Sequence, residues 1–279
     1  MVCLFLFTIL VLLSEVLKSN NNVMKNYILS ETTYGEVKDT HVDLAILPWG
    51  ATEAHNFHLP YSTDTIESEY IAAKAARTAT ESGAKVMVLP SIPFGVNTGQ
   101  KDIKFCMNIN PSTQASLLND LVTTLYAQGI RKLMILNGHG GNDFKPLLRE
   151  IGSSFPGMIL ATANWFEAVE KDGFFEKQGE HADEMETSIM LSIAPELVRP
   201  LYEAGKGAAR KFRVEALNQN WAWTERKWSE VTLDTGIGDP SLSSSSKGSR
   251  YLEAVIGKVA QLIIELCNVE QGDFYTARE

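Results

Sequence analysis

From residue 24 onward the chain alternates short apolar runs with longer stretches whose apolar positions recur at helical spacing. Residues 42–47 (VDLAIL) read as a buried strand, followed by a polar loop over 48–63. Residues 65–82, rich in Ala and Glu and closed by Gly83, predict a helix. A second strand is expected at 86–89, then a long irregular stretch to Asn110. Pro111 sits where a first helical residue would, with Asn110 as its cap, and that helix runs to about residue 128. A strand over 132–136, a glycine-rich turn, a helix over 143–153 and a strand over 158–163 continue the alternation. The serines at 243–246 lead into a last helix over about 248–269.

Strands and helices joined by short connections predict an α/β fold, with a mainly parallel central sheet flanked by helices on both faces. No repeat and no Pro-, Gly- or Ser-rich linker divides the chain, so residues 24–279 read as a single domain. Residues 1–23 stand apart. Their apolar run, VCLFLFTILVLL, is shorter than the roughly 20 residues that span a bilayer. No Lys or Arg precedes it and no A-x-A site follows. Two readings are open: a start codon placed too early, or a signal or anchor. The first makes the protein cytoplasmic; the second makes it exported or membrane-anchored.

Composition narrows the classes. With 44% hydrophobic and 21% charged residues, the 279-residue chain has material for a sizeable core. A net charge of -9 and the lack of a Lys/Arg-rich stretch argue against nucleic acid as a partner. Nothing in residues 24–279 calls for a membrane. Cys3, Cys106 and Cys267 are far apart and form no CxxC, which argues against a disulfide framework or a cysteine zinc site. No G-x-S-x-G is present, which disfavours a serine hydrolase.

The chemistry concentrates in three segments. GATEAHNFHLPYSTD (50–64) follows the first strand, where sites form in open parallel sheets. Glu53 and His55 are two apart, so in extended chain they project the same way, and a carboxylate beside an imidazole suits a divalent first-row metal. Asp64 can return to that point through the loop. NGHGGN (137–142) follows another strand and sets His139 among glycines that permit close approach. HADEMETS (181–188) opens a helix; Asp183 with Glu186 three residues on is close to a capping box, while His181 beside them is a candidate proton carrier.

In this order the three segments resemble the creatininase (creatinine amidohydrolase) family, with support from Gly238–Leu242 (GDPSL) and from Lys247-Gly248. The resemblance covers nearly all of residues 26–268. It implies an α/β sandwich, often hexameric, and two divalent metal ions per chain: zinc, with manganese or iron(II) as alternatives. It places Glu53, His55, Asp64 and His139 as metal ligands, with Asp64 bridging, and His181 as the catalytic proton-transfer residue. Creatininase itself carries a glutamate two residues after the histidine of NGH. That place is Gly141 here, and the resemblance offers Glu186 instead. Trp165 matches an aromatic near the substrate pocket; Trp221, Trp223 and Trp228 are candidates for a pocket wall or a subunit contact, with ordinary packing as the alternative. Asp183 replaces a usual glycine, and residues 99–111 lack the histidine and FPGT found in many members, which argues against creatinine as the natural substrate. The implied function is metal-dependent hydrolysis of a non-peptide or cyclic C–N amide bond in a small molecule, by a homo-oligomer. A formamide or peptide-trimming hydrolase and a non-catalytic metal-binding scaffold are the alternatives.

Overall fold

The computed structural model describes residues 27–276. The apolar segment at 1–23 lies outside the described residues. Four strands, β1 (Leu44–Trp49), β2 (Val86–Val88), β3 (Lys132–Asn137) and β4 (Ile159–Asn164), form one parallel sheet in the order β2-β1-β3-β4. The central strands LAILPW and KLMILN are buried on both faces, which is why they read as continuous apolar runs rather than alternating ones.

Alternate residues feed two cores. Leu44, Ile46, Met134 and Leu136 pack beneath α1 (Thr63–Glu81), α4 (Glu184–Ile193) and α5 (Ser245–Asn268). Ala45, Leu47, Leu133 and Ile135 pack beneath α2 (Pro111–Ala127) and α3 (Phe144–Gly152) on the opposite face. The expected parallel sheet with helices on both faces is what the chain forms.

β1 continues past the expected end at residue 47, through Pro48. Proline has no N–H to give a ladder. Here the Pro48 carbonyl accepts from the Ile92 amide at 3.1 Å, on the side where β2 has already ended. The missing donor therefore breaks no bond to β3, and the freed chain at 89–110 can wander over the carboxyl end of the sheet.

That end carries the consequence for function. The chain leaves β1 outward to β2, then crosses back to β3 and β4. The loops after β1 and β3 diverge at this switch point and leave a crevice. Among the described residues, no helix is long and apolar enough to cross a membrane.

Candidate metal centre

Each functional side chain is placed by a local device. After β1, the Glu53 amide donates to the Tyr61 carbonyl (3.1 Å) and the Leu59 amide to that of His55 (3.3 Å), which folds the loop back on itself. Asn56 takes a left-handed φ of 55°, tolerable for asparagine, and its side chain holds Gly205 through both backbone groups. The returning chain delivers Asp64 in the first turn of α1, where the helix dipole favours a carboxylate. After β3, Asn137 bonds the His139 amide (3.2 Å) and carbonyl (2.9 Å), fixing the turn. The His181 backbone pairs in both directions with Ile237.

At the start of α4, Asp183 caps the helix by accepting from the Glu186 amide at 3.0 Å. The Glu186 carboxylate does not return to the cap residue's own amide, as a full capping box would have it. It accepts instead from Ala182, whose φ of 49° turns that amide inward. Capping and the buried cluster are thus built from the same residues.

The six acids and imidazoles converge. His139 Nδ1 lies 3.0 Å from both Glu53 Oε1 and Asp64 Oδ2, and His55 Nε2 lies 2.7 Å from Asp64 Oδ1. Glu53 Oε1 and Glu186 Oε2 are each 4.0 Å from His55 Nε2, and His181 Nδ1 is 3.7 Å from Glu53 Oε1. Three overlapping ligand groups result: Glu53–Asp64–His139, His55–Asp64–Glu186 and Glu53–His55–His181. Asp64 belongs to the first two through different oxygens.

The far nitrogens decide what this cluster can bind. His55 Nδ1 donates to the Glu53 carbonyl (3.2 Å), His139 Nε2 to that of Val96 (3.1 Å) and His181 Nε2 to that of Ala54 (2.9 Å). A carbonyl only accepts, so each of these nitrogens carries a proton, and in neutral imidazole the inward nitrogen is then a bare lone pair. Lone pairs facing carboxylate oxygens repel unless a cation lies between. A backbone carbonyl orienting the outer N–H is the usual support of a metal-bound histidine. His55 Nε2 and Asp64 Oδ2 are buried and lie 2.7 Å and 3.0 Å from their facing groups, yet neither is in hydrogen-bonding geometry, which fits the same reading. The residues present therefore suit divalent cations.

Without a cation, protons take its place. Burial alone would depress His55, but Asp64, Glu186 and Glu53 outweigh it and push the imidazole up to about 10. His139 follows: burial is overcome by Glu53 and Asp64, and it rises well above its ordinary value. Burial, with Asp183 and Asp64 adding to it, pushes the Glu186 carboxyl up to about 8 against the pull of His55. A histidine raised in the folded state contributes stability that is full below its ordinary 6.5 and lost as pH rises through about 10. The cation-free protein is expected to lose stability across that window. Divalent ions are expected to displace more than one proton per chain at pH 7. Calorimetry in buffers of different ionisation enthalpy counts those protons, and binding without release would contradict the protonated cluster.

The His139 ring occupies a slot between two glycines. A Cβ on Gly95 would stand 2.6 Å from His139 Cδ2, and one on Gly141 would stand 2.4 Å from Nε2 and 2.3 Å from the Val96 carbonyl. No side chain fits at position 141 without disturbing the bond that orients the ring. Gly141→Ala is expected to weaken divalent-ion affinity roughly tenfold or more, the usual scale for losing an outer support. Competition with a chelating dye measures this; unchanged affinity would show that the slot does not matter.

The cluster floors a cavity of about 730 Å³. Glu53, Asp64, His139, His181 and Glu186 reach it, and His55 sits beneath, 1% exposed. Trp165 does not reach it: the side chain is 1% exposed in the core with Met134, Leu136 and Tyr251, and its neighbour Phe166 is the aromatic on the wall. Trp223 and Trp228 line the mouth, whereas Trp221 is 75% exposed. The Trp228 ring stands edge-on to His181 at 4.9 Å, and Arg226 lies over Trp228 while pairing with Glu180 at 2.9 Å. His58 stays outside the cluster; its Nε2 meets the Thr187 hydroxyl (2.8 Å) and burial lowers it to about 4.

Sequence reasoning passed over Glu67, Gln100 and Arg226. Glu67 is buried one turn along α1 from Asp64 with neither oxygen bonded; burial, then Glu186 and Asp64, hold it well above the usual carboxylate range. Its three-residue spacing from Asp64 was the available signal. Gln100 and Arg226 had none, since each meets the site through long-range loop packing.

A parallel sheet with buried carboxylates and imidazoles at its switch point defines an α/β protein shaped to hold divalent cations. Comparison makes the class definite: the chain belongs to the creatininase family, whose description is creatinine amidohydrolase and whose profile matches residues 30–263. It is thus a hydrolase of that family. The mycofactocin precursor peptide peptidase of Mycobacterium tuberculosis is 26% identical over 82% of this chain and 87% of its own. The 3-dehydro-scyllo-inosose hydrolase of Thermotoga maritima is 28% identical over 80% and 78%. The crystal structure of a candidate creatinine amidohydrolase from Bacteroides fragilis is 43% identical, with TM-score 0.84 over 89% of this chain and 99% of that one. Creatininase structures of manganese and zinc–zinc type share the fold, at 20–21% identity and TM-score 0.73, over 88% of this chain and all of theirs.

Proposed function

We propose that this chain hydrolyses a carbon–nitrogen amide-type bond at a dinuclear divalent-metal centre. Glu53, Asp64 and His139 would hold one ion, and His55, Asp64 and Glu186 the other, with Asp64 shared. The observation that carries the reading is the convergence of buried carboxylates on three imidazoles, each ring oriented by its outer nitrogen against a backbone carbonyl. The chemistry the ions supply when bound is polarisation of a carbonyl and acidification of water.

The chain's own residues do the rest. His181 lines the cavity with Nε2 committed to Ala54, leaving Nδ1 to take a proton from water and return it to the leaving nitrogen. Burial, then the neighbouring His55, lowers its pKa, which favours the free base that this role requires. Trp228 fixes the imidazole edge-on, and Phe166 supplies an apolar wall.

Cavity size favours one narrower reading. A volume of about 730 Å³ has room for a substrate larger than a single small ring, such as a short peptide or a formylated chain. The peptidase relative, aligned over 82% of the chain, points the same way.

The test is elemental analysis of protein purified without chelator, followed by turnover of cyclic amides, formamides, short peptides and an inosose. Two ions per chain, with amide hydrolysis lost to chelator and restored by zinc or manganese, is the expected result. One loosely held ion without turnover would make the protein a binding scaffold. Turnover of the inosose alone would refute the C–N assignment.

A further inference from the structure

The Glu53 carboxylate is used asymmetrically. Its Oε1 faces His139, His55 and His181, while Oε2 accepts a hydrogen bond from the Gln100 side-chain amide. Gln100 is 2% exposed and ends the one-turn segment Thr98–Gln100, in the irregular chain freed beyond Pro48. Its amide oxygen in turn accepts from the Cys106 thiol at 3.2 Å, and the thiol sulfur accepts from the Ala54 amide at 3.1 Å. A left-handed φ of 63° at exposed Phe105 turns Cys106 inward, and the next residue is tied to the Thr52 carbonyl at 2.9 Å.

Direction matters in this chain of bonds. An amide side chain can be flipped, and the wrong face would set a carbonyl oxygen against Glu53 Oε2. The thiol removes that option because its S–H needs the amide oxygen on its own side. Burial pushes the Cys106 thiol up to about 11, so it keeps the proton that it donates. Ala54 closes the circuit: it lies between Glu53 and His55, its amide reaches Cys106 and its carbonyl reaches His181.

We infer that Gln100 is a positioning residue, set in its working orientation by Cys106, which anchors one oxygen of Glu53 so that the other is presented to the metal. The inference rests on the proposed metal centre. Outer partners of ligands typically affect metal affinity by 10–100-fold.

The test titrates zinc and manganese separately into metal-free wild type, Gln100→Ala, Cys106→Ser, Cys106→Val and the Gln100→Ala/Cys106→Val double variant. Gln100→Ala is expected to weaken affinity for the more sensitive ion by 10–100-fold. Cys106→Ser keeps a donor and an acceptor and is expected within about threefold of wild type, whereas Cys106→Val falls clearly below it. The double variant is expected to be no worse than Gln100→Ala, because both changes cut one chain of bonds. A merely structural role would not make serine restore what valine loses, and this valine–serine comparison decides the matter should Gln100→Ala fail to fold. Gln100→Ala within twofold of wild type, or equal losses in both cysteine variants, would overturn the inference while leaving the metal centre standing. A wild type that binds neither ion would overturn both.

Discussion

Replacing Asp64 by asparagine is expected to lower kcat/KM at least a thousandfold, about 4 kcal/mol of transition-state stabilisation, and to reduce bound metal below two ions per chain. The substitution keeps size and shape, so packing at the head of α1 should survive. What it removes is the second anionic oxygen. Asp64 Oδ1 meets His55 and Oδ2 meets His139, and these contacts join the two ligand groups into one site. An asparagine offers one oxygen and one NH2, so one imidazole must lose its partner. Circular dichroism verifies the fold, elemental analysis the stoichiometry and steady-state kinetics the rate. Near-normal turnover with two bound ions would show that Asp64 does not join the halves.

The adjacent aromatics after β4 should separate stability from recognition. Trp165→Ala is expected to cost about 3–5 kcal/mol of folding stability, because removing a fully buried indole leaves a large cavity in the core on that face of the sheet. Phe166→Ala is expected to cost less and to raise KM, since its ring forms part of the cavity wall. Urea unfolding and Michaelis parameters on both variants measure the contrast. A Trp165→Ala protein with wild-type stability and raised KM would reverse the two roles and return Trp165 to the substrate.

These two aromatics mark the limit of what could be read from sequence. Ligand-type residues were visible because they stand immediately after apolar strands, at Glu53, His55 and His139, where a parallel sheet must place its site. The sheet itself was visible because its central strands are too apolar to be anything but doubly buried. Glu186 was ambiguous between cap and ligand, and in the folded chain its neighbourhood serves both. Trp165 and Phe166 cannot be ordered by alternation, because the one-turn segment Trp165–Glu167 breaks the strand's period there. Residues 97–110 are held by a side-chain bond within the segment, Asn97 to Met107, and by bonds to distant loops, Gln100 to Glu53 and Thr98 to Glu225. No periodicity encodes such contacts, so Gln100 emerged only from the folded chain. The same holds for Arg226 and Trp228, which come to the mouth from more than 40 residues beyond His181.

The central claim is that one carboxylate joins two cation sites. Anomalous diffraction from crystals loaded with zinc, and again with manganese, tests it most directly. Two peaks per chain are predicted, one among Glu53, Asp64 and His139 and the other among His55, Asp64 and Glu186, with Asp64 touching both. A single peak, or ions that leave His139 or His55 without a metal, would contradict the account.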